Sequence, residues 1–392
     1  MELAVAGIGT TAVTRDPSSP LPDTVARTCR AALADAGIPS EAVDGIFVTP
    51  PRMAAEGWMM YAAHLGEYLG FETKSLVQVQ NGGASALLAM RAAMDAVVLG
   101  RCEVALVIAS DGRPLMDLQH MQSFVRRAVF RTTGLYGPIN SLFGFGAPVP
   151  IYAMSHQRYL HEYALTEADV AEVSVRLRAH AHVHPLAQFR EPITVEDVLQ
   201  SPYVSPPIRL LQAAGISTGV AVAVITRADV AKETGRPVVV IKGYGEHHHP
   251  SHFAPRRGSL TSFPAVQIAA KAALDDAGVE VSDIDVAEVY GVFGATECIV
   301  YEDLGFCERG QAVPFVRDGQ STVGGRVLLN PTGGRISFGH PAGATPLYEV
   351  AEVVRQLRGE APGLQANGGL GLVQAEHGMN NGVVVLVMER AA

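Results

Sequence analysis

Lysine is scarce in this chain: 4 of its 392 residues are lysines, against 26 arginines. None of the four lies in a recognisable motif, which disfavours an enzyme that reacts through a lysine Schiff base. The net charge of −9 at pH 7 argues against nucleic acid as the main partner. The longest apolar runs have the length of strands and are broken by glycine or charge, so we expect no membrane span.

Cysteine is also sparse, with four residues at positions 29, 102, 298 and 307 and no CxxC pair. Their neighbours are apolar, so we predict buried, reduced thiols in a cytoplasmic protein. There are two groups of histidines. The first, at 180–184, ends a predicted helix, and the second, at 247–252, lies in a Pro/Gly loop. Their spacing does not converge on one point, so we expect no metal site. No GxGxxG motif or phosphate-binding loop is evident, so we expect no bound cofactor.

The chain is long enough for about two domains, and it repeats itself. Residues 31–44 read AALADAGIPSEAVD, and residues 272–285 read AALDDAGVEVSDID, at a constant offset of 241. Each copy has the pattern of a helix end, a glycine C-cap, a short loop and the start of a strand. The match predicts a duplicated fold. Helices of the AAL-x-DAG type are common, however, so chance similarity remains an alternative.

The other predicted elements fit a doubled α/β plan. Continuous apolar runs at 104–110 and 220–226 are typical of buried parallel strands. An Ala- and Met-rich segment at 87–99 predicts a helix. The remaining predicted strands are 45–49, 238–242, 286–290 and 383–388, and two further helices are predicted at 152–163 and 167–180.

We divide the chain into an N-terminal half, residues 1–234, and a C-terminal half, residues 235–392. The boundary follows from the polar link near residues 231–237, which is typical of a connection between units. Residues 113–203 interrupt the N-terminal half with a segment rich in arginine, histidine and aromatic residues. We expect this insert to cover the substrate as a lid.

Residues 330–344, NPTGGRISFGHPAGA, are the most informative stretch. Small residues and two prolines surround His340, and the glycines permit a close approach of the backbone to a ligand. Pro341 fixes the chain directly after the imidazole. A histidine held in this way can bind an oxyanion or transfer a proton. His340 is therefore a candidate catalytic residue, and its neighbours Phe338 and Gly339 are candidates for substrate binding.

This stretch resembles the NxxGGxxxxGHPxGA signature of the thiolase superfamily, and the resemblance extends over the whole chain. The sterol-carrier-protein-type and lipid-transfer-protein-like members are more similar, because their YEALGLC-x-x-GQ and RRYMHEYG segments resemble residues 301–311 and 156–165. The resemblance implies an α/β thiolase fold, in which duplicated βαβαβαββ halves form a layered α-β-α-β-α core. It also implies a coenzyme A thioester as the substrate.

The nucleophilic cysteine of the thiolase pattern has no counterpart here. In thiolases it opens a helix after a strand, because a helix N-terminus lowers the pKa of a thiol. In this chain Gln80 or an adjacent residue, such as Asn81, takes that position. Ser85 is an alternative nucleophile, although local capping is the more ordinary role of such a serine. We therefore expect no covalent acyl transfer, and Gln80 and Asn81 become candidates for substrate binding.

The second cysteine of the thiolase pattern, an acid/base group, is missing as well. Thiolases place it just before a run of glycines near the C-terminus. Residues 365–371 read QANGGLG and contain no cysteine. We align this run with that site, so Asn367 and Gly368 are further candidates for substrate binding.

Tyr290 occupies the place of the Asn or His in the NExF or HDxF segment of thiolases, and Gly291 that of the acid. A phenol in a dry pocket can act as a general acid or base; the alternative is an aromatic residue that ends a core strand. A tyrosine here, together with the missing cysteine, resembles the lipid-transfer-protein-like steroid side-chain aldolases. Unlike those enzymes, this chain keeps the GHP motif. One of their active-site aromatic residues aligns near Phe338, which has no hydroxyl group.

The resemblance implies a carbon–carbon lyase that cleaves a β-hydroxyacyl-CoA, with a steroid-like side chain, into a ketone or aldehyde and a shorter acyl-CoA. Tyr290 would remove the β-hydroxyl proton. His340 and backbone N–H groups, with Asn330 orienting, would stabilise the thioester enolate. Two alternatives stay open: a divergent acyl-CoA acyltransferase that uses no cysteine, and a catalytically inactive subunit that binds an acyl-CoA.

Thiolase-fold chains form tight two-fold dimers, and the helix at 82–93 is rich in small residues that suit close packing, so we expect a homodimer. The related aldolases also need a small OB-fold partner that binds the acyl-CoA, and this chain has no such segment. We therefore predict a heteromeric complex with two copies of each subunit. Arginines at positions 126, 127, 131, 256 and 257 are candidates for the coenzyme A phosphates, with a solvated surface as the alternative.

Overall fold

The computed structural model describes residues 1–15, 19–51, 60–112, 148–249, 259–377 and 381–391. Ten strands of these residues form one mixed sheet, and two more form a separate ribbon. In chain order the strands are β1 (Leu3–Thr10), β2 (Gly45–Thr49), β3 (Ser75–Gln78), β4 (Ala105–Asp111), β5 (Tyr203–Ser205), β6 (Ile208–Arg209), β7 (Gly219–Arg227), β8 (Val239–His248), β9 (Val286–Val289), β10 (Leu328–Leu329), β11 (Leu370–His377) and β12 (Gly382–Arg390).

Helices cover both faces of the sheet. In chain order the described helices are α1 (Leu21–Ala36), α2 (Tyr61–Leu69), α3 (Ser85–Val98), α4 (Pro148–Glu162), α5 (Glu167–Val183), α6 (Val195–Gln200), α7 (Ala228–Glu233), α8 (Pro264–Ala277), α9 (Gly294–Asp303), α10 (Ala312–Arg317), α11 (Gly334–Ser337) and α12 (Thr345–Arg358). Among them, none is both long and apolar enough to cross a membrane.

The sheet consists of two halves with the same internal order. Its strands lie in the order β10-β9-β11-β12-β8-β1-β7-β4-β2-β3. From its outer edge inward, the N-terminal half has the order β3-β2-β4-β7-β1 and the C-terminal half the order β10-β9-β11-β12-β8. In both halves this is the third, second, fourth, fifth and first strand of that half along the chain. The halves meet where β1 pairs with β8 in antiparallel register. The predicted α/β fold with duplicated halves is confirmed. The boundary that we placed at residue 234 lies between β7 and β8, directly after α7.

The sequence repeat coincides with this duplication. Helices α1 and α8 end at the first and second copies of the repeat, and each is capped by a glycine, Gly37 and Gly278. These glycines have φ values of 67° and 69°, a left-handed conformation that residues with a side chain rarely adopt. A short 3-10 turn and then a strand, β2 or β9, follow each cap. The helix end, cap, loop and strand that the repeat predicts are therefore all present.

Strand residues alternate between separate apolar cores, as the period of two in a β-strand requires. Val107 and Val373 face a central core that also contains α3 and α12. Their neighbours face outward: Leu106 packs with α1, and Leu372 packs with α8 and α9. The helices thus lie in a central layer and two outer layers, separated by the halves of the sheet.

The described part of the insert consists mainly of helices. The two helices predicted there are confirmed as α4 and α5, and α5 begins with a capping box between Thr166 and Asp169. Tyr159 of α4 donates a hydrogen bond to Glu302 of α9, which fixes the insert to the C-terminal half. Residues 113–147, together with the arginines proposed to bind phosphates, lie outside the described residues. The role of the insert as a lid stays a prediction.

Candidate active site

Tyr290 lies where the edge of the sheet meets the start of α3. It directly follows β9, and its backbone N–H donates to Oε1 of Gln374 on the neighbouring strand β11, at 2.8 Å. The turn before α3 contains Gly83, and a Cβ atom there would overlap the hydroxyl of Tyr290 and the carbonyl oxygen of Glu376. Only glycine permits this approach. The phenol therefore contacts the turn where the thiolase pattern places its cysteine.

His340 completes a pair with Tyr290. Its Nε2 lies 3.4 Å from the phenolic oxygen, and the two rings are perpendicular, with centroids 5.6 Å apart. Nδ1 lies 3.0 Å from the hydroxyl oxygen of Thr345. The backbone N–H of His340 donates to Oγ of Ser217 at 3.0 Å, which fixes the loop. When Tyr290 donates to Nε2, Nδ1 carries the proton and donates to Thr345. The pair can therefore pass a proton between phenol and imidazole.

Asn330 is fully buried and acts on the end of β9. Its Oδ1 accepts from the backbone N–H of Val289 at 2.7 Å, and its Nδ2 donates to Glu297. The structure thus places the Asn330 amide beside the backbone that leads into Tyr290. The orienting role that we expected for Asn330 in stabilising the enolate stays a prediction.

Two of the predicted substrate-binding residues lie far from this pair. Asn367 and Gly368 precede β11, whereas Tyr290 is level with the other end of that strand, because β9 and β11 are parallel and Val289 pairs with Gln374. Gly368 packs against the carboxylate of Asp285, which precedes β9. The predicted alignment put this glycine run at the site, but the run precedes the start of β11, whereas the site lies at the C-terminal end of that strand.

The other candidates lie near the pair or beneath it. Gln80 and Asn81 are exposed and directly precede the turn that contains Gly83. The hydroxyl of Ser85 donates to the carbonyl of Gly82 at 2.7 Å and accepts from the N–H of Asn81 at 2.8 Å, so it caps the turn locally.

Phe338 is buried below the histidine loop, edge-on to two other rings, those of His184 and Tyr348. Gly339 has φ +108°, which a residue with a side chain rarely adopts.

Sequence reasoning missed Glu376, the next-to-last residue of β11, which lies beside the site. Its side chain is buried and accepts a hydrogen bond from the hydroxyl of Tyr152 on α4, at 2.9 Å. The ring of Tyr152 in turn packs 5.2 Å from that of Phe293. A signal was present: the sequence GMNNG at 378–382 directly precedes a strong strand pattern, and the paired strands β11 and β12 lie on either side of it, with His377 opposite Gly382.

The cysteines are neither at the site nor reactive. Burial raises the pKa of Cys29 and Cys307 to about 12 and that of Cys102 to about 11. Burial and nearby carboxyl groups raise the pKa of Cys298 well above its ordinary value. Since the thiolate is the nucleophile, none of the four is activated near neutral pH. Within the described ranges, no cluster of three or more His, Cys, Asp or Glu side chains could hold a metal ion.

Comparisons with known proteins show the family of the chain. The family model "Thiolase C-terminal domain-like" matches residues 245–390. An acetyl-CoA acetyltransferase from Methanothermobacter thermautotrophicus is 32% identical over 90% of this chain and 88% of that protein. The chain belongs to the thiolase superfamily.

Within the superfamily the chain is similar to lyases as well as to acyltransferases. The 17-hydroxy-3-oxo-4-pregnene-20-carboxyl-CoA lyase of Mycobacterium tuberculosis is 30% identical over 91% of this chain and 92% of that enzyme. The solved structure "Ltp2-ChsH2(DUF35) aldolase" has 27% identity and a TM-score of 0.83, and the match covers 99% of this chain and 98% of that chain. The resemblance to the aldolase branch is confirmed.

Proposed function

We propose that this protein is a carbon–carbon lyase that cleaves a β-hydroxyacyl-CoA by a retro-aldol reaction. The observation that carries the proposal is the contact between the Tyr290 hydroxyl and Nε2 of His340, next to the turn where thiolases have their nucleophile. A phenol and an imidazole can accept and return a proton, but they offer no thiolate for an acyl-enzyme. Retro-aldol cleavage requires only such proton transfer, together with stabilisation of an enolate.

The reaction balances with the groups of the site alone. Tyr290 accepts the proton of the β-hydroxyl group while its own proton passes to Nε2 of His340. The bond between the α- and β-carbons breaks, and its electron pair moves into the thioester as an enolate. The β-carbon leaves as a ketone or aldehyde. The proton then returns to the α-carbon, which gives a shorter acyl-CoA.

Enolate stabilisation falls to His340 and to nearby backbone N–H groups. Once protonated, the imidazole presents a positive charge where the enolate oxygen develops, and such preorganised charge contributes strongly in a site shielded from water. Thr345 accepts the hydrogen bond of Nδ1–H and so keeps the ring oriented. Tyr290 is only 4% exposed, which limits access of water to the phenol.

The relatives support both the main proposal and one alternative. A lyase and an aldolase are among the similar proteins, and so is an acetyl-CoA acetyltransferase. An acyltransferase that lacks an activated thiol would need another nucleophile, and Ser85, the nearest hydroxyl on α3, is engaged in capping. We therefore rank acyl transfer second, and a catalytically inactive acyl-CoA-binding subunit third.

We further propose a homodimer that works with a partner subunit, with an acyl-CoA as the small-molecule substrate. The similar solved structure, the Ltp2-ChsH2(DUF35) aldolase, has a name that joins two proteins. The four free cysteines fit a reducing, cytoplasmic compartment. Light scattering of the isolated chain should give the mass of a dimer, and a monomer at micromolar concentration would contradict it. Full activity of the isolated chain would contradict the need for a partner.

The experiment compares the wild type with two site variants and one control variant. Each is tested on a panel of β-hydroxyacyl-CoA and 3-oxoacyl-CoA substrates, with mass spectrometry of the products. Tyr290→Phe and His340→Ala should each lower kcat roughly 100-fold or more, since that is the usual contribution of a general acid or base. Tyr244→Phe, which removes the hydroxyl of a partly buried tyrosine on β8 that donates to Glu246, is the matched control and should keep its activity. Near-wild-type turnover by Tyr290→Phe would remove the phenol from the reaction.

A further inference from the structure

A buried arginine lies on the ring of Tyr290. Arg335, in α11, is 1% exposed, and its guanidinium carbon is 3.3 Å from the centroid of the tyrosine ring. Its Nη1 donates to the carbonyl oxygen of Val289, one residue before Tyr290, at 2.9 Å. A charged side chain is almost never fully buried unless it is paired. The position of this charge beside the proposed proton acceptor is the feature to be explained.

The negative charge that could balance Arg335 is incomplete near neutral pH. Its ion-pair partner is Glu349 of α12. Burial raises the pKa of Glu349 to about 7, although Arg335 opposes the shift. Burial likewise raises the pKa of Glu297 to about 8 and that of Glu288 well above its ordinary range. Burial thus disfavours the charged form of all three carboxyl groups, while the guanidinium keeps its charge.

The guanidinium also has unused donors. Nε and Nη2 of Arg335 are buried and make no hydrogen bond to the described residues, and Oε2 of Glu349 is in the same condition. A cavity of about 10 Å³ adjoins them, lined among others by Glu288, Thr332 and Thr345. That volume suits about one water molecule. The guanidinium therefore has Glu349 on one of its nitrogens, the ring of Tyr290 on its face, and two donors without a partner among the described residues.

A cation on the face of an aromatic ring is attracted to the ring's quadrupole. The attraction grows when the phenol loses its proton, because the negative charge of a phenolate spreads over the ring as well as the oxygen. An opposite charge within about 4–6 Å shifts the proton affinity of a group by roughly one to three pH units. Arg335 is therefore close enough to favour the deprotonated state of Tyr290.

We propose that Arg335 is the positioning residue that makes Tyr290 a proton acceptor, because its buried guanidinium holds the ring in place and stabilises the phenolate, while Glu349 competes for the same charge. The inference rests on the proposed function, in which Tyr290 takes the β-hydroxyl proton. The other ionisable groups around Tyr290 are His340 on the histidine loop, Glu288 on β9, Glu297 on α9, Glu349 on α12, Glu376 on β11 and Tyr152 on α4.

A purely structural role for Arg335 predicts different behaviour. If the guanidinium only anchors the carbonyl of Val289, its loss would reduce stability without changing the ionisation of the phenol. An electrostatic role predicts opposite effects for the two members of the ion pair. Loss of the cation should make Tyr290 harder to deprotonate, and loss of the competing anion should make it easier.

The test is an ultraviolet titration of tyrosinate on the full-length protein without substrate. The curve of the Tyr290→Phe variant, subtracted from that of the parent protein, isolates the midpoint of Tyr290. Four backgrounds are compared: the wild type, Glu349→Gln, Arg335→Lys and the double variant Arg335→Leu/Glu349→Leu. The double variant is included because apolar replacement of a buried ion pair is often neutral or stabilising, so it should fold.

The double variant should raise the midpoint of Tyr290 by about one unit or more, and Glu349→Gln should lower it. Arg335→Lys, which keeps the charge, should stay closer to the wild type than the double variant does. Equal midpoints in the wild type and the folded double variant would overturn the inference. Because no substrate is present, this result is independent of whether the protein performs retro-aldol cleavage.

Discussion

Gly83→Ala is the substitution that most sharply tests the geometry of the site. The added methyl group would overlap the hydroxyl and ring of Tyr290 as well as the carbonyl oxygen of Glu376. The carbonyl belongs to strand β11 and cannot move cheaply, so the phenol must be displaced. A shift of about 1 Å in a catalytic group can cost roughly 100-fold in rate. We therefore expect kcat to fall about 100-fold, while KM changes much less.

The assay is steady-state cleavage of a β-hydroxyacyl-CoA, with thermal unfolding followed in parallel. Gly66→Ala is the matched control, because the nearest neighbours of its added methyl group are the methyl groups of Leu76, at 3.9 Å. Alanine also favours the α2 helix that contains residue 66. The control should keep its activity and its stability. If Gly83→Ala kept full activity, Tyr290 could not be working at the position described here.

Two further predictions concern the thiols and the buried carboxyl groups. Because the pKa of every cysteine is raised, no acyl-enzyme should accumulate on a thiol, and intact-mass measurement after acyl-CoA exposure should show no adduct; an adduct on Cys102, Cys298 or Cys307 would contradict this. Burial raises the pKa of Glu349 from its ordinary value of 4.5, which applies to the unfolded chain, to about 7 in the folded protein. Its contribution to stability is therefore complete below about pH 4.5 and is lost as the pH rises to about 7. Chemical unfolding of the wild type should show this loss relative to Glu349→Gln across that window, and parallel pH profiles would refute it.

The fold could be predicted because its signals are local. The two copies of the repeat specify a helix end, a left-handed glycine and a strand, and these are set by nearby residues alone. The patterns at 104–110 and 220–226 correctly predicted buried strands, since a strand buried on both faces is apolar throughout. They did not reveal strand direction: β4 is parallel to β2, but β7 is antiparallel to both of its neighbours, so the prediction of a parallel strand at 220–226 was wrong. Neither signal depends on knowing which distant segments meet in space.

The site could be predicted only where a motif and a strand end coincided. Tyr290 and His340 were found in this way, and the structure brings their side chains together. Asn367 and Gly368 were misplaced because a glycine run alone does not reveal which end of a strand it adjoins. Arg335 and Glu376 were missed, since a charged residue in an apolar segment is usually interpreted as exposed, and the GMNNG run marks only the strand end near Glu376, not the burial of its side chain. Their partners, Tyr290 and Tyr152, are 45 and 224 residues away along the chain.

The most direct test of the account is cleavage in deuterium oxide by the protein, both alone and with the proposed partner subunit. Retro-aldol cleavage ends with a proton on the α-carbon, so the shorter acyl-CoA should carry one deuterium at that carbon, and the other product should be a ketone or aldehyde. Mass spectrometry of both products measures this outcome. An acyl group transferred to free coenzyme A, or a 3-oxoacyl-CoA consumed in place of the β-hydroxyacyl-CoA, would contradict the proposed reaction.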